Sequence, residues 1–119
     1  MLFGLFGKKS AVPSAVINAV DAAQLALWIK QGTALVIDVR EANEFRAGHI
    51  PGAILQPLSA FDPAKVPVDP DKHLVFHCLS GRRCGPASKK MAAAGFQGEI
   101  FRLSGGFAAW RSAGGAVEN

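Results

Sequence analysis

The segment HLVFHCLSGRRCGPASKKMAAAG, residues 73–95, places an apolar run, a short loop and an alanine-rich stretch in direct succession. The run His73–His77 is too short for a typical helix and predicts a buried β-strand. The stretch Pro86–Ala94 predicts a helix, with Pro86 in its first turn. The loop between strand and helix carries two cysteines. Residues 73–95 therefore predict one strand–loop–helix unit with a potentially reactive loop.

Similar apolar runs lie on both sides of this unit, at 15–20, 34–39, near 53–55 and at 98–103. Helical patterns alternate with them at 22–31, 41–45 and 105–114, and Asp21 and Gly32 stand where caps of the first helix belong. Proline and aspartate dominate 57–71, which predicts loop with one helical turn at 58–61. This alternation predicts an α/β fold: a small, open, mostly parallel β-sheet flanked by helices on both faces.

The chain has 119 residues, half of them apolar, which is enough for one modest core. We expect residues 15–119 to form a single domain and residues 1–14 to form a tail, flexible or weakly docking. The tail's apolar residues precede Lys8 and Lys9, the reverse of the order in an export signal, and they are too few to cross a membrane. Contact of the tail with a membrane surface is the less favoured alternative.

The charge and the cysteine content restrict the partners and the compartment. The net charge is +4, and the basic residues form no long stripe, so we expect no nucleic-acid partner and consider small anions better suited. Two cysteines in one loop give neither a secreted-type disulfide framework nor a metal-binding pattern. We therefore expect a reducing, cytoplasmic setting.

Cys78 stands directly after the predicted strand and shortly before the predicted helix. In open parallel sheets the ligand crevice lies at the carboxyl ends of the strands. The positive end of a helix dipole stabilises a thiolate there, and Arg82 and Arg83 add formal charge. Gly81 lets the backbone approach the sulfur closely. The pattern predicts a nucleophilic cysteine in an anion-binding loop, whereas the alternatives are an inert buried cysteine and a solvated arginine pair.

The sequence resembles the rhodanese, or sulfurtransferase, family from about Val16 to Gly115. The motifs that carry the resemblance are Asp38–Glu41, Glu44–Phe45, Gly48–Ala53, Cys78–Arg83, and Leu103–Phe107 with Trp110. The resemblance implies that Cys78 takes a sulfane sulfur from a small sulfur-containing anion such as thiosulfate and becomes a persulfide. Transfer to a thiol, a protein thiol or cyanide would follow, with no bound cofactor and no metal. The residues implied to bind the donor are Leu79, Ser80, Gly81, Arg82 and Arg83.

Two other functions stay open. Phosphatases and arsenate reductases of the same fold also carry a cysteine in an arginine-closed loop, but they need Cys-x5-Arg to surround a tetrahedral oxyanion. Here Arg83 closes Cys-x4-Arg, a shorter loop that is better suited to one terminal sulfur. A non-catalytic binding module is the second alternative, and the intact Cys78 argues against it.

Supporting roles are expected for four residues near the loop. Asp38 and Arg40 should buttress the crevice through ion pairs and hydrogen bonds, and Glu44 is a candidate partner for a loop arginine. Cys84 is either a small packing residue, which we favour, or a thiol that resolves a Cys78 persulfide into a disulfide. Three further side chains are expected to pack rather than react: His77, Phe107 and Trp110. His49 has no second metal ligand near it in sequence.

Overall fold

The computed structural model describes residues 16–79 and 84–119, and the counts of strands and helices refer to those residues. The predicted tail at 1–14 and the loop positions Ser80–Arg83 lie outside them. Five strands are present: β1 (Val16–Val20), β2 (Ala34–Asp38), β3 (Ile54–Leu55), β4 (His73–His77) and β5 (Glu99–Leu103). Four α-helices alternate with them: α1 (Ala22–Gln31), α2 (Ala42–Ala47), α3 (Cys84–Ala93) and α4 (Gly106–Ser112).

The strands form one sheet in the order β1-β5-β4-β2-β3, and every pairing between them is parallel. The predicted α/β fold with an open sheet is thereby confirmed. Strand β4 lies at the centre and pairs with β2 so that His77 stands opposite Asp38. The carboxyl ends of these two strands therefore meet at one edge of the sheet, which is where α/β proteins place their ligands.

Alternation of side chains along the strands divides the core between the two faces of the sheet. On one face, strand residues pack against α3, and the main contributors are Ile37, Leu74, Phe76, Ile100, Ala87 and Met91. On the other face, strand residues pack against α1 and α4, and the main contributors are Val36, Val75, Leu103, Leu25, Phe107 and Trp110. Helices cover both faces, as predicted, and Phe107 and Trp110 are core residues.

Local capping sets the ends of the helices. The carboxylate of Asp21 accepts a hydrogen bond from the backbone N–H of Gln24 at 2.8 Å, and Gly32 ends α1 in the left-handed region with a φ of 73°. These are the two caps that the sequence predicts. Helix α2 begins with a capping box in which the Glu44 side chain accepts from the backbone N–H of Glu41.

Several element boundaries differ from the sequence prediction, and one turn was not predicted. Helix α3 begins at Cys84 rather than at Pro86, because a proline at the third position loses only an N–H that has no partner within the helix. Strand β2 ends at Asp38, one residue early. The segment 57–71 contains the predicted helical turn as a 3₁₀ helix at Leu58–Ala60 and a second one at Pro63–Lys65, where the Asp62 carboxylate accepts from the N–H of Ala64 at 3.0 Å.

The C-terminal segment returns to the site edge of the sheet. Glu118 and His49 exchange two backbone hydrogen bonds of 2.8 and 2.9 Å. The indole N–H of Trp110 donates to the carbonyl of Ala116 at 2.8 Å. Val117 is thereby held against the loop that follows α2, where it lines the cleft described below.

Candidate active site

Asp38 and Arg40 form a buried ion pair at the carboxyl end of β2. The guanidinium contacts the carboxylate in two places, Nη2 to Oδ2 at 2.7 Å and Nε to Oδ1 at 3.0 Å. Nη2 also donates to the carbonyl of Gly48 at 2.8 Å, and the side chains are 0% and 4% exposed for Asp38 and Arg40, respectively. A bidentate pair with further hydrogen bonds can compensate the cost of burying both charges. The pair fixes the loop after β2 against the loop after α2.

Phe107 of α4 contacts two of the polar groups at this edge. The Arg40 guanidinium carbon lies 4.2 Å from the centre of the Phe107 ring, within the range of a cation–π interaction. The His77 ring stacks on the Phe107 ring, with 6.0 Å between the two ring centroids. Phe107 was expected only as a core residue. It also positions Arg40, a role that its sequence spacing does not reveal.

His77 is fully buried beside the ion pair. Its Nε2 lies 3.4 Å from Oδ2 of Asp38 and has no hydrogen-bond partner among the described residues, while Nδ1 lies 3.5 Å from the carbonyl of Cys78. Burial lowers the pKa of His77, because the loss of hydration disfavours the imidazolium more than Asp38 favours it. His77 is therefore a neutral, packed residue at neutral pH.

This lowered pKa predicts a stability that depends on pH through His77. Below the ordinary histidine pKa of 6.5, the unfolded chain binds a proton that the folded chain does not. The free energy of unfolding should therefore fall as the pH drops from about 7.5 to about 5.5, with a His77 contribution on the order of 1 kcal/mol. Urea unfolding at both pH values should show a smaller fall for His77→Gln than for the unaltered chain. An equal fall in both proteins would assign the effect to other groups.

Cys78 follows β4 directly, and its side chain is buried against the start of α3. Cys78 is 1% exposed and Cys84 is 0% exposed. The S–H of Cys84 donates to the sulfur of Cys78, with 3.7 Å between the two Sγ atoms. This hydrogen bond, together with burial, raises the pKa of Cys84 far above its usual range, so Cys84 retains its proton. A donated S–H and a helix N-terminus both favour the thiolate form of the accepting sulfur.

The backbone of α4 contacts the backbone of the cysteine loop. The N–H of Phe107 donates to the carbonyl of Cys78 at 2.7 Å, and the N–H of Ala108 donates to that of Leu79 at 3.1 Å. Gly106, with a φ of 61°, makes this approach possible, because a Cβ there would lie 2.3 Å from the Cys78 oxygen. Sequence reasoning assigned no role to Gly106, although the pair Gly105–Gly106 before an apolar helix was the available signal.

A cleft of about 380 Å³ opens beside Leu79, the residue after Cys78. Leu79 is 47% exposed at its edge. The polar side chains that line this cleft are Arg40, Glu44 and Arg111. Arg111 was not predicted; it is an exposed residue of α4, one turn after Phe107, and lines the same cleft. The contact predicted between Glu44 and a loop arginine concerns Arg82 and Arg83. Both arginines lie outside the described residues, so that contact stays a prediction.

His49 and the other candidate ligands form no metal site in the described part of the chain. No group of three or more histidine, cysteine, aspartate or glutamate side chains within 16–79 and 84–119 could hold an ion. His49 instead stacks on Phe45 with a centroid distance of 3.7 Å, and its Nδ1 lies 2.8 Å from the Phe45 carbonyl. Over the same residues, no helix has the length and apolar character needed to cross a membrane.

The family model of the rhodanese-like domain matches residues 21–113, which include both strand ends and both cysteines of this site. The chain belongs to the rhodanese-like domain family. The resemblance inferred from the motifs is thereby confirmed. The rhodanese-like chain is 39% identical over 85 residues to the uncharacterized protein slr1261 of Synechocystis sp., covering 71% of this chain and 47% of slr1261. It is 30% identical over 89 residues to the thiosulfate sulfurtransferase GlpE of Ectopseudomonas mendocina, covering 75% of this chain and 81% of GlpE.

Solved structures of rhodanese-like and related proteins have the same fold. The BH2092 protein of Bacillus halodurans matches with a TM-score of 0.74 and 30% identity, over 86% of this chain and 77% of that one. RPA3614 of Rhodopseudomonas palustris, described as a possible tyrosine phosphatase, matches with a TM-score of 0.67 and 28% identity, over 86% and 85% of the two chains. This rhodanese-like chain spans about half the length of two of the curated relatives that it matches.

Proposed function

We propose that the protein is a sulfurtransferase that carries sulfane sulfur as a persulfide on Cys78. The observation that supports this most directly is the placement of Cys78. It lies at the carboxyl end of the central strand, its carbonyl is held by α4, and its sulfur accepts a hydrogen bond at the start of α3. The relative named as a thiosulfate sulfurtransferase, GlpE, supports the same activity.

The proposed reaction has two displacement steps. The Cys78 thiolate attacks the outer sulfur of thiosulfate, a new S–S bond forms, and sulfite leaves with the electron pair of the broken S–S bond. The acceptor, cyanide or a thiol, then attacks the outer sulfur of the persulfide, and Cys78 leaves as the thiolate. Negative charge is present on sulfur at every stage, which suits the N-terminus of a ten-residue helix.

The proposed donor site is the loop from Leu79 to Arg83, with its amides and Arg83 stabilising the anion. Leu79 and Arg111 at the cleft would contact a donor or acceptor as it approaches. Asp38 and Arg40 would support the loop indirectly, since both are buried and engaged with each other. They are positioning residues in this proposal, whereas Cys78 is the catalytic residue.

Phosphate or arsenate chemistry is the competing function, because the structurally similar RPA3614 is described as a possible tyrosine phosphatase. The spacing between Cys78 and Arg83 is one residue shorter than such enzymes need. A tetrahedral oxyanion presents several oxygens that each need a donor, and misplaced donors weaken both binding and attack. The short loop therefore supports sulfur transfer.

The unaltered protein should distinguish the two chemistries directly. Early in an incubation with thiosulfate, its intact mass should rise by about 32 Da, one sulfur atom, and cyanide added at that stage should yield thiocyanate. Hydrolysis of a generic aryl phosphate and reduction of arsenate should be negligible beside this transfer. Ready hydrolysis of the aryl phosphate without any gain of sulfur would contradict the proposal and favour the phosphatase alternative.

A further inference from the structure

The two cysteines of the chain form a thiol pair in a dry environment. Their sulfurs are 3.7 Å apart, which is a non-bonded contact, whereas a disulfide requires about 2.05 Å. Both belong to the apolar cluster beneath α3, in which Ala87 and Phe76 are also fully buried. Cys84 is the first residue of α3, and its Sγ is in contact with Sγ of Cys78. The fold therefore places the one nucleophilic atom of Cys84 next to the proposed sulfur carrier.

We propose that Cys84 is the resolving thiol of Cys78: it converts the Cys78 persulfide into an internal disulfide and releases hydrogen sulfide. This inference rests on the proposed persulfide function. It adds a second outcome for the bound sulfur, namely reduction to sulfide rather than transfer to an acceptor. The packing interpretation favoured from sequence accounts for the burial of Cys84, and the contact between the two sulfurs adds the proximity that a resolving thiol needs.

The step balances without an external oxidant. The Cys84 sulfur attacks Sγ of Cys78, a bond forms between the two cysteine sulfurs, and the bond from Sγ to the outer sulfur breaks. The outer sulfur leaves as hydrosulfide with the electron pair and takes up the Cys84 proton to give hydrogen sulfide. Relative to the two starting thiols and a zero-valent sulfane sulfur, that sulfur is reduced by two electrons and each cysteine sulfur is oxidised by one. A dithiol reductant then restores both thiols and completes the cycle.

The environment of Cys84 determines when this path operates. Burial and its hydrogen bond hold the proton on Cys84, so its attack is slow compared with that of an acceptor thiol that is already ionised. An acceptor also attacks the outer sulfur, whereas Cys84 attacks the inner one. Sulfide release is therefore the path taken when no acceptor is present.

Intact-mass spectrometry and a sulfide assay test the proposal in the full chain, with thiosulfate as the donor and no acceptor. The unaltered protein should gain about 32 Da transiently, settle about 2 Da below the reduced mass and release one sulfide per chain. Cys84→Ser should keep the added sulfur and release at least about tenfold less sulfide. Ser88→Ala is the matched control, because Ser88 is buried on the same helix and its hydroxyl donates to the Cys84 carbonyl at 2.8 Å. It should behave as the unaltered protein does.

Two results would overturn the inference while leaving the proposed function intact. One is a persulfide that persists equally in the unaltered protein and in Cys84→Ser, and the other is equal sulfide release from both. Diamide, which oxidises thiol pairs without a persulfide, provides a separate arm. It should close the disulfide in the unaltered protein and not in Cys84→Ser. If neither the unaltered protein nor Cys84→Ser gains sulfur from thiosulfate, the proposed function is overturned. Diamide still tests the thiol pair in that case, because failure to form the disulfide between Cys78 and Cys84 would reject Cys84 as a resolving thiol.

Discussion

Replacement of Cys78 by serine should abolish persulfide formation and lower thiosulfate-to-cyanide transfer by at least about 1000-fold. Serine has nearly the same size and fits the buried position, so the fold should be retained. Its hydroxyl is a poor nucleophile without a general base, and the nearby His77 has Nδ1 directed at a backbone carbonyl. Intact mass after thiosulfate treatment and steady-state thiocyanate formation measure the two losses.

The matched control for this variant is Cys84→Ser, which removes the neighbouring thiol and keeps the proposed nucleophile. It should still gain about 32 Da from thiosulfate. Circular dichroism should show that both variants are folded. If Cys78→Ser acquired sulfur as the unaltered chain does, the assignment of Cys78 as the nucleophile would be wrong.

Of the variants named here, Arg40→Met should cause the largest loss of stability, about 3–5 kcal/mol in the free energy of unfolding. The substitution leaves the Asp38 carboxylate buried without its counter-charge and removes the donor to the Gly48 carbonyl. Urea unfolding with linear extrapolation measures the loss. Arg111→Met is the matched control, because Arg111 lines the same cleft but is exposed, and its effect should stay within about 0.5 kcal/mol.

A double variant separates the buried charge from the lost packing. Adding Asp38→Asn to Arg40→Met removes the uncompensated charge and should recover part of the stability. If Arg40→Met cost less than about 1 kcal/mol, the ion pair would not be a main determinant of this part of the fold.

The elements of the fold were predictable because their signals are local. Apolar runs of five or six residues predicted four of the strands, a shorter run near 53–55 predicted the remaining one, and Asp21 and Gly32 predicted both ends of α1. The order of the strands was not predictable, since it depends on which strands pair across long stretches of chain. The start of α3 was also misplaced. Pro86 marks a first turn correctly, but it does not say how many residues of that turn precede it.

The candidate site was predictable where it depends on strand ends. Asp38 is the last residue of β2 and Cys78 follows β4, so both lie at the edge that the sequence predicts for the carboxyl ends of parallel strands. The contacts made by α4 were not predictable in the same way. Phe107 was recognised as apolar, but its contact with Arg40 requires the three-dimensional position of the helix. The sulfur-to-sulfur contact likewise depends on the first residue of α3, the boundary that sequence misplaced.

The attachment of α4 to the cysteine loop bears on how this domain could change its substrates during evolution. The attachment uses main-chain N–H groups and the absence of a side chain at Gly106, so it is indifferent to the side chains that α4 carries on its outer face. Ala108, Arg111 and Ser112 lie on that face beside Leu79. Mutation can therefore remodel the entrance while the proposed nucleophile, Cys78, stays in place. For the proposed sulfurtransferase, the side chains that would contact a substrate and the backbone that holds Cys78 can change independently within one seven-residue helix.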